Sequence, residues 1–173
     1  FVFEKGKGIV EVTVTGDETE QVKAVNTAVS NPERSMNLYY PDPNDDAGQY
    51  LLKHTIRYSF KTNEITRETL PTLIAESAKE GYFNYLPEGS KINWLYKDKE
   101  DIVHVDFNQV FQDNLQTGST YEVTTLESIA MTLLDLMDGE ELLLTVEGNH
   151  YEGGHVTLEK GETIDRVEDE YIR

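Results

Sequence analysis

Cysteine is absent from this chain of 173 residues. Its absence excludes disulfide bridges, metal sites built on thiolates and cysteine nucleophiles. It does not identify the compartment, because secreted domains without cysteine also exist.

Basic residues are scarce. The chain has 15 lysines and arginines against 33 aspartates and glutamates, which gives a net charge of −18 and an isoelectric point near 4.4. Such a surface repels the phosphates of nucleic acids and anionic lipid headgroups, so the sequence predicts no nucleic-acid partner. The simplest interpretation is that the charge keeps an extracytoplasmic domain soluble.

Long apolar runs are also missing. No stretch of about 18 apolar residues occurs, so no part of this sequence is predicted to span a bilayer. The sequence begins with Phe1 rather than with methionine, so we expect a piece of a longer protein whose signal peptide or lipid anchor lay upstream. The predicted location is extracytoplasmic and membrane-associated through that removed N-terminal anchor or signal.

The groups needed for catalysis or metal binding do not form a recognisable pattern. There is no Gly-x-Ser-x-Gly elbow, phosphate loop or dinucleotide fingerprint. His150 and His155 share a glycine-rich loop and could bind zinc, but the helix-borne His-Glu-x-x-His spacing is absent. The acidic loop 41–46 lacks the glycine and the closing glutamate of an EF-hand. No catalytic residue, metal or cofactor is predicted.

The strongest pattern lies in residues 124–146. Thr124 and Glu127 have the spacing of a capping box, and Asp138-Gly139 is predicted to end the helix with glycine in the left-handed conformation. Leu142 to Val146 then forms a buried strand. An apolar-faced helix that leads into a buried strand predicts a sheet with helices packed on one side. The apolar face consists of Leu126, Ile129, Ala130, Leu133, Leu134 and Met137.

The remaining patterns complete an α+β domain over residues 36–158. The domain is expected to have two helices packed on one face of a small three- to four-stranded sheet, which is antiparallel or mixed. The strand at 50–60 is predicted to pair antiparallel with the strand at 36–40. The strands at 92–96 and 102–107 are predicted to form a hairpin. The predicted strands are 36–40, 50–60, 92–96 and 102–107, and the second predicted helix is 69–80.

Both ends of the chain are assigned to other units. Val10, Val12 and Val14 alternate with polar residues, so residues 1–35 are interpreted as an N-terminal β extension or the remnant of a preceding module. Residues 159–173 are interpreted as a charged C-terminal tail, either a weak amphipathic helix or a frayed segment.

Two features stand out as candidate sites. Asp106 lies at a strand end, where its carboxylate is predicted to accept from free N–H groups of the next turn, in a structural role rather than as a general acid or base. Tyr82, Phe83 and Tyr85 form a concentrated aromatic run. Such residues more often cover a core, and the alternative is a recognition patch, so they are the candidate interaction surface.

Four segments together resemble the GerM domain, also called the sporulation and spore germination domain. They match the family's opening strand, its Leu-Pro-x-Gly turn, its Val-Asp-Phe strand end, and its last helix with the closing strand-turn. Asp106, Phe107, Glu127 and Gly148 are structural positions of these motifs. The helix that ends at Glu80 departs from the family because it lacks a Leu-Leu-x-Gly-Pro ending. The segments are 38–42, 86–89, 105–111, and 127–133 with 146–155.

The resemblance implies a compact fold similar to the ring-building motif of secretion-system ring proteins. Such domains occur in cell-envelope lipoproteins and in sporulation proteins of Gram-positive bacteria, and the resemblance supplies no catalytic residues. The expected function is a non-catalytic extracytoplasmic scaffolding or protein-interaction module of an envelope lipoprotein, in sporulation or germination, with a protein partner or a second copy as ligand. The alternative is an envelope domain that binds a ligand or the cell wall without an assembly role. An enzyme would instead require His54, His104 or His155 beside an acid in one cleft.

Overall fold

Two β-sheets and a long helix form most of the part that the structure, a computed structural model, describes: residues 33–59, 86–115 and 119–173. The strands are β1 (Glu33–Pro41), β2 (Leu51–Ser59), β3 (Ile92–Lys97), β4 (Ile102–Phe107), β5 (Glu141–Val146), β6 (Asn149–His150) and β7 (Ile164–Asp165). The helices are α1 (Gln109–Asn114) and α2 (Ser119–Met137), and a 3-10 turn spans Asp169–Tyr171. The fold is therefore α+β, as predicted.

Strands β1 and β2 form an antiparallel hairpin, which confirms the predicted pairing. The acidic loop between them is held by its own carboxylates. Asp45 accepts hydrogen bonds from the backbone N–H groups of Gln49, Tyr50 and Ala47, which together hold its pKa below the usual range. These are turn-forming contacts of a short acidic side chain.

The main sheet has the order β3-β4-β5-β6 and is mixed. Strand β3 pairs antiparallel with β4, with a register shift between Ile92 and Trp94, and β4 pairs parallel with β5. A parallel pair needs a long crossover connection, and here α1 and α2 lie within it. The other edge of β5 is shared by β6 at its C-terminal end and β7 at its N-terminal end.

The prediction of a single sheet is wrong in one respect. Strands β1 and β2 form a separate two-stranded sheet rather than joining the main one. The backbone N–H of Tyr39 in β1 instead donates to Thr132 Oγ1 on α2, at 3.0 Å. The predicted helix at 69–80 lies outside the described residues, and so does the predicted N-terminal extension up to residue 32.

Helix α2 begins earlier and ends differently than the sequence predicts. It starts at Ser119, so Thr124 and Glu127 lie inside it and the predicted capping box is wrong. Thr124 Oγ1 instead donates to the carbonyl of Gly48, at 2.8 Å. At the other end Asp138 takes the left-handed conformation, with φ of 55°, where glycine had been predicted. Gly139 is required for another reason, since a Cβ there would overlap the Val103 side chain.

The hydrophobic core joins one face of the main sheet to α2 and to the hairpin. Phe111 of α1 stacks on Phe107 of β4, with ring centroids 4.2 Å apart. A second, smaller cluster joins Tyr39 and Leu51 of the hairpin to Met131, so α2 packs apolar side chains into both clusters. The main cluster includes Met36, Leu38, Tyr40, Val103, Val105, Phe107, Leu126, Ile129, Leu133, Leu142, Leu144 and Val146.

The C-terminal segment is neither an amphipathic helix nor a frayed tail. Ile164 pairs with Leu142 in the main sheet, and Ile172 forms a parallel bridge with Leu51 of the hairpin. The backbone N–H of Arg173 donates to the carbonyl of Leu51, and its own carbonyl accepts from Lys53 N–H, both at 2.8 Å. Ile164, Val167 and Ile172 of this segment pack against the core clusters, which holds it in place without a helix.

Candidate interaction surface

The predicted site residues separate into three groups. Tyr82, Phe83 and Tyr85 lie outside the described residues. Asp106, Phe107 and Gly148 come together where β4 meets the turn between β5 and β6. Glu127 lies apart from them within α2, where burial raises its pKa.

Asp106 joins three strands through one buried carboxylate. It is 2% exposed, and its Oδ1 accepts from the N–H of Gly148 at 2.7 Å and from Thr145 Oγ1 at 2.6 Å. Its Oδ2 accepts from Asn93 Nδ2, at 2.7 Å. The donors lie on β3, on β5 and in the turn after β5, so the prediction that this carboxylate accepts from the turn after Phe107 is wrong. A carboxylate already bonded to three donors holds strands in register and has little capacity left for proton transfer.

Gly148 belongs to a two-residue turn between β5 and β6. Glu147 and Gly148 both have positive φ, 49° and 77°, as a type I′ hairpin turn requires. The N–H of Glu147 donates to the carbonyl of Phe107, at 2.9 Å. The turn is thus tied to the end of β4 by this bond and by the Asp106 carboxylate.

A second buried carboxylate, Glu122, was not predicted from the sequence. It is fully buried on α2 and accepts from Tyr151 Oη and from the N–H of His155, both at 2.9 Å. Burial, together with the Glu122 carboxylate, raises the pKa of Tyr151. Glu122 continues the spacing of the apolar face by one turn before Leu126, and a charged residue at such a position is the signal that could have revealed it.

The glycines near this carboxylate are explained by close packing. A Cβ at Gly153 would overlap Glu122 Oε1 and the Tyr151 ring, whereas one at Gly154 would have ordinary contacts. Neither glycine has the positive φ that would mark an unusual conformation. The two histidines of this loop have different partners. His150 pairs with Glu152 at 2.7 Å, whereas the backbone N–H of His155 donates to Glu122. Among the residues that the structure describes, no cluster of three His, Asp or Glu could hold a metal ion.

The face of the main sheet that points away from the core carries a row of rings. The strand register places Tyr96 opposite His104, and His104 opposite Leu143. The Tyr96 and His104 rings are stacked, with centroids 4.7 Å apart, and Trp94 lies 5.6 Å from Tyr96. Helices α1 and α2 pack on the opposite face through the core cluster. We call this side, formed by the exposed Tyr96 and the half-buried Trp94, Ile102, His104 and Leu143, the outer face.

The outer face is ordered by polar contacts at its margin. His104 Nε2 lies 2.8 Å from Asp98 Oδ2, and this hydrogen bond, with those from the N–H groups of Glu100 and Ile102, lowers the pKa of Asp98. Tyr96 stacks on the ring of His104 and remains 48% exposed. The aromatic row is therefore rigid and open to solvent at one end.

The two edges of the main sheet differ. Strand β3 pairs with β4 on one side and, within ranges 33–59, 86–115 and 119–173, with no strand on its other side. On the far side, a cleft of about 380 Å³ lies along the edge of β5. It is lined by Leu143, Leu144, Thr145, Gly148, Asn149, His150, Glu159, Lys160 and Gly161. None of the helices within the described ranges is long and apolar enough to cross a membrane.

Comparison with known proteins gives similar folds among the solved structures and one matching family model. The fold is similar to the first GerMN domain of the sporulation protein GerM from Bacillus subtilis, with a TM-score of 0.60 and 18% identity over 77% of this chain and 98% of that one. It is also similar to the tandem GerMN domains of the same protein, with a TM-score of 0.58 and 17% identity over 76% of this chain and 46% of that one. No curated protein matches the chain. Residues 37–152 match the family model described as Germane, sporulation and spore germination, and the chain therefore belongs to that family.

Proposed function

We propose that this chain is a non-catalytic protein-binding module of the bacterial cell envelope that acts in sporulation or germination. The observation that carries the proposal is the outer face, an ordered aromatic row beside a sheet edge that pairs with no other described strand. Within this row Tyr96 is 48% exposed, and an exposed aromatic ring held in a fixed position is typical of binding surfaces. Membership of the Germane family supports the biological setting.

The non-catalytic part of the proposal rests on how the buried carboxylates are used. Asp106 and Glu122 each accept three hydrogen bonds from structural donors. A general acid or base needs reach to a substrate and a second group at a suitable separation. His104, the ordered imidazole of the outer face, is stacked on Tyr96 and bonded to Asp98. These contacts favour structural roles for all three groups.

Site-specific photo-crosslinking in the source bacterium tests the proposal. A photoreactive amino acid is placed at Tyr96 and, as a control, at Tyr121, which is 42% exposed on α2. We expect a discrete protein adduct from Tyr96 and none of the same mass from Tyr121. Equal adducts from both positions, or none from Tyr96 under sporulating conditions, would contradict the proposal.

The cleft beside β5 favours a second candidate function, the binding of a cell-wall fragment. His150 and Lys160 line the cleft with Asn149, and these side chains suit a ligand with carboxylates and hydroxyl groups. Titration with soluble muropeptides, followed by amide chemical shifts, separates the two candidates. Shifts confined to 143–145 and 148–150 would support the wall-binding alternative, and an unchanged spectrum would remove it.

A further inference from the structure

We infer that the partner of the outer face supplies an extended, lysine- or arginine-bearing segment that adds a strand to β3. The segment would pair with the edge of β3 that no other described strand occupies, which we call the free edge. This inference rests on the proposed function and specifies the mode of binding and the chemistry of the partner. It follows from the hydrogen-bond pattern of β3, from the position of one lysine and from the charge of the chain.

The hydrogen-bond pattern of β3 leaves specific groups at its edge. The N–H of Asp98 donates to the carbonyl of Ile102, at 3.0 Å, so this pair is hydrogen-bonded across the hairpin. Hydrogen-bonded and non-hydrogen-bonded pairs alternate in an antiparallel ladder. By that alternation Trp94 and Tyr96 direct their backbone groups to β4, while Leu95 and Lys97 direct theirs to the free edge. The edge thus offers two residues with both a donor and an acceptor, which is what an added strand needs.

The edge is not protected by the lysine at its end. Proteins often protect edge strands with a lysine or a bulge. Lys97 Nζ lies 2.8 Å from the carbonyl of Asp138 and 3.2 Å from Asp101 Oδ1, so its charge is held on the core side of the sheet. The register shift lies at the other end, between Ile92 and Trp94. The stretch from Trp94 to Lys97 remains suitable for pairing.

The negative charge of the chain favours a basic segment as the added strand. The turn beside this edge carries Glu100 and Asp101, whose side chains are 68% and 75% exposed and pair with Lys99 at 3.7 Å and Lys97 at 3.2 Å. The excess of acid lies elsewhere in the chain, since residues 138–173, which include β5, β6 and β7, carry 11 acidic residues against three basic ones. A second copy of a chain with net charge −18 would be repelled, whereas a basic segment would be attracted. A residue paired opposite Tyr96 places its side chain on the outer face, where a lysine or arginine can lie against the Tyr96 and Trp94 rings.

The test uses a short synthetic peptide that alternates lysine with valine, and two matched peptides. The first control replaces each lysine with glutamate. The second keeps the lysines but is N-methylated at each valine, so it retains the charge and loses the N–H groups that would pair with Leu95 and Lys97. Binding to the whole chain is followed by amide chemical shifts and by amide hydrogen exchange. We expect the lysine peptide to perturb and protect Leu95 and Lys97, and both control peptides to bind at least tenfold more weakly.

Variants of the chain test the aromatic contact. Tyr96→Ser should weaken the binding of the lysine peptide about threefold, which is the loss typical of an exposed cation–π contact. Tyr121→Ser, which changes an equally exposed tyrosine on α2, should leave binding unchanged. Equal binding of the N-methylated peptide, equal binding of the glutamate peptide, or a dimer in sedimentation that competes with the lysine peptide would each overturn the inference.

The proposed function and the strand-addition inference can be contradicted independently of each other. If the Tyr96 photo-adduct forms but N-methylation has no effect on peptide binding, the outer face binds a partner and strand addition is wrong. If no Tyr96 adduct forms, the proposed function itself is contradicted.

Discussion

Single residues hold this fold together through buried carboxylates. Asp106 bonds to donors on β3, β5 and the turn after β5, and Glu122 bonds to the loop that contains Gly153 and Gly154. A buried acceptor shared by several donors is costly to remove, because donors at sites only partly open to water then lose their partner. The charge of the chain thus has a structural use at these positions.

Replacing Asp106 with alanine tests this use. The change leaves the Gly148 N–H, the Thr145 hydroxyl and the Asn93 amide without their acceptor. We expect the free energy of unfolding to fall by about 3 kcal/mol, as for a buried charged acceptor lost from several hydrogen bonds. Urea denaturation measures the change. Asp46→Ala, in an exposed turn, is the control and should alter stability by less than about 0.5 kcal/mol.

The neighbouring glycines give a second prediction. Gly153→Ala should lower the free energy of unfolding by about 1–3 kcal/mol, because the added Cβ overlaps Glu122 and Tyr151 and forces them apart. Gly154→Ala should be tolerated, since its nearest side-chain atom, Glu122 Oε2, would lie 3.7 Å away. Thermal unfolding of the two variants makes the comparison, and equal melting temperatures would show that the close approach at Gly153 is not limiting.

At the scale of elements, α2 connects the two sheets. Asp135 on this helix accepts from Asn37 and Tyr39 of β1, both at 2.7 Å, and from Arg166 near β7, at 2.8 Å. Burial disfavours the ionised carboxyl, but these hydrogen bonds outweigh burial and hold the pKa of Asp135 below its usual range. One ionised side chain therefore links the hairpin, the helix and the C-terminal segment.

The pH dependence of stability follows from this depressed pKa. The contribution of Asp135 is complete above the pKa of an unfolded aspartate, about 3.9, and is lost as pH falls through the lower folded value. We expect wild-type stability to exceed that of Asp135→Asn at neutral pH, with the difference shrinking as the pH is lowered below about 4. Urea denaturation at a series of pH values measures it. A constant difference down to the lowest pH at which the chain folds would contradict this assignment.

Some elements could be predicted from the sequence because local residues determine them. The strand 102–107 has an alternating apolar pattern, 142–146 an apolar run and the body of α2 an apolar face at helical spacing, and the structure confirms all three. The start of α2 could not be predicted, since Thr124 and Glu127 have capping-box spacing but lie within the helix. The placement of β7 depends on one side chain, Ile164, meeting β5, and no local pattern encodes such a contact.

At the scale of the whole molecule, the negative charge opposes folding. With a net charge of −18, the compact chain repels itself more strongly than the expanded one. The exposed acids of the C-terminal segment, including Glu168 and Glu170, contribute to that repulsion. The core and the buried acceptors must therefore stabilise the fold against a global electrostatic cost.

Salt should relieve this cost. We expect the melting temperature to rise between low salt and about 1 M sodium chloride, where the Debye length is about 3 Å. Glu168→Gln combined with Glu170→Gln should raise the melting temperature at low salt and reduce its dependence on salt. A melting temperature that falls with added salt would mean that favourable ion pairs outweigh the repulsion.

The single tryptophan of the chain, Trp94, lies in β3 beside the free edge. Its indole emission is therefore an intrinsic optical reporter for whatever occupies that edge, and no dye needs to be attached. The cleft lies along β5, and β4 separates that strand from β3, so we expect a ligand bound there to leave the fluorescence spectrum nearly unchanged.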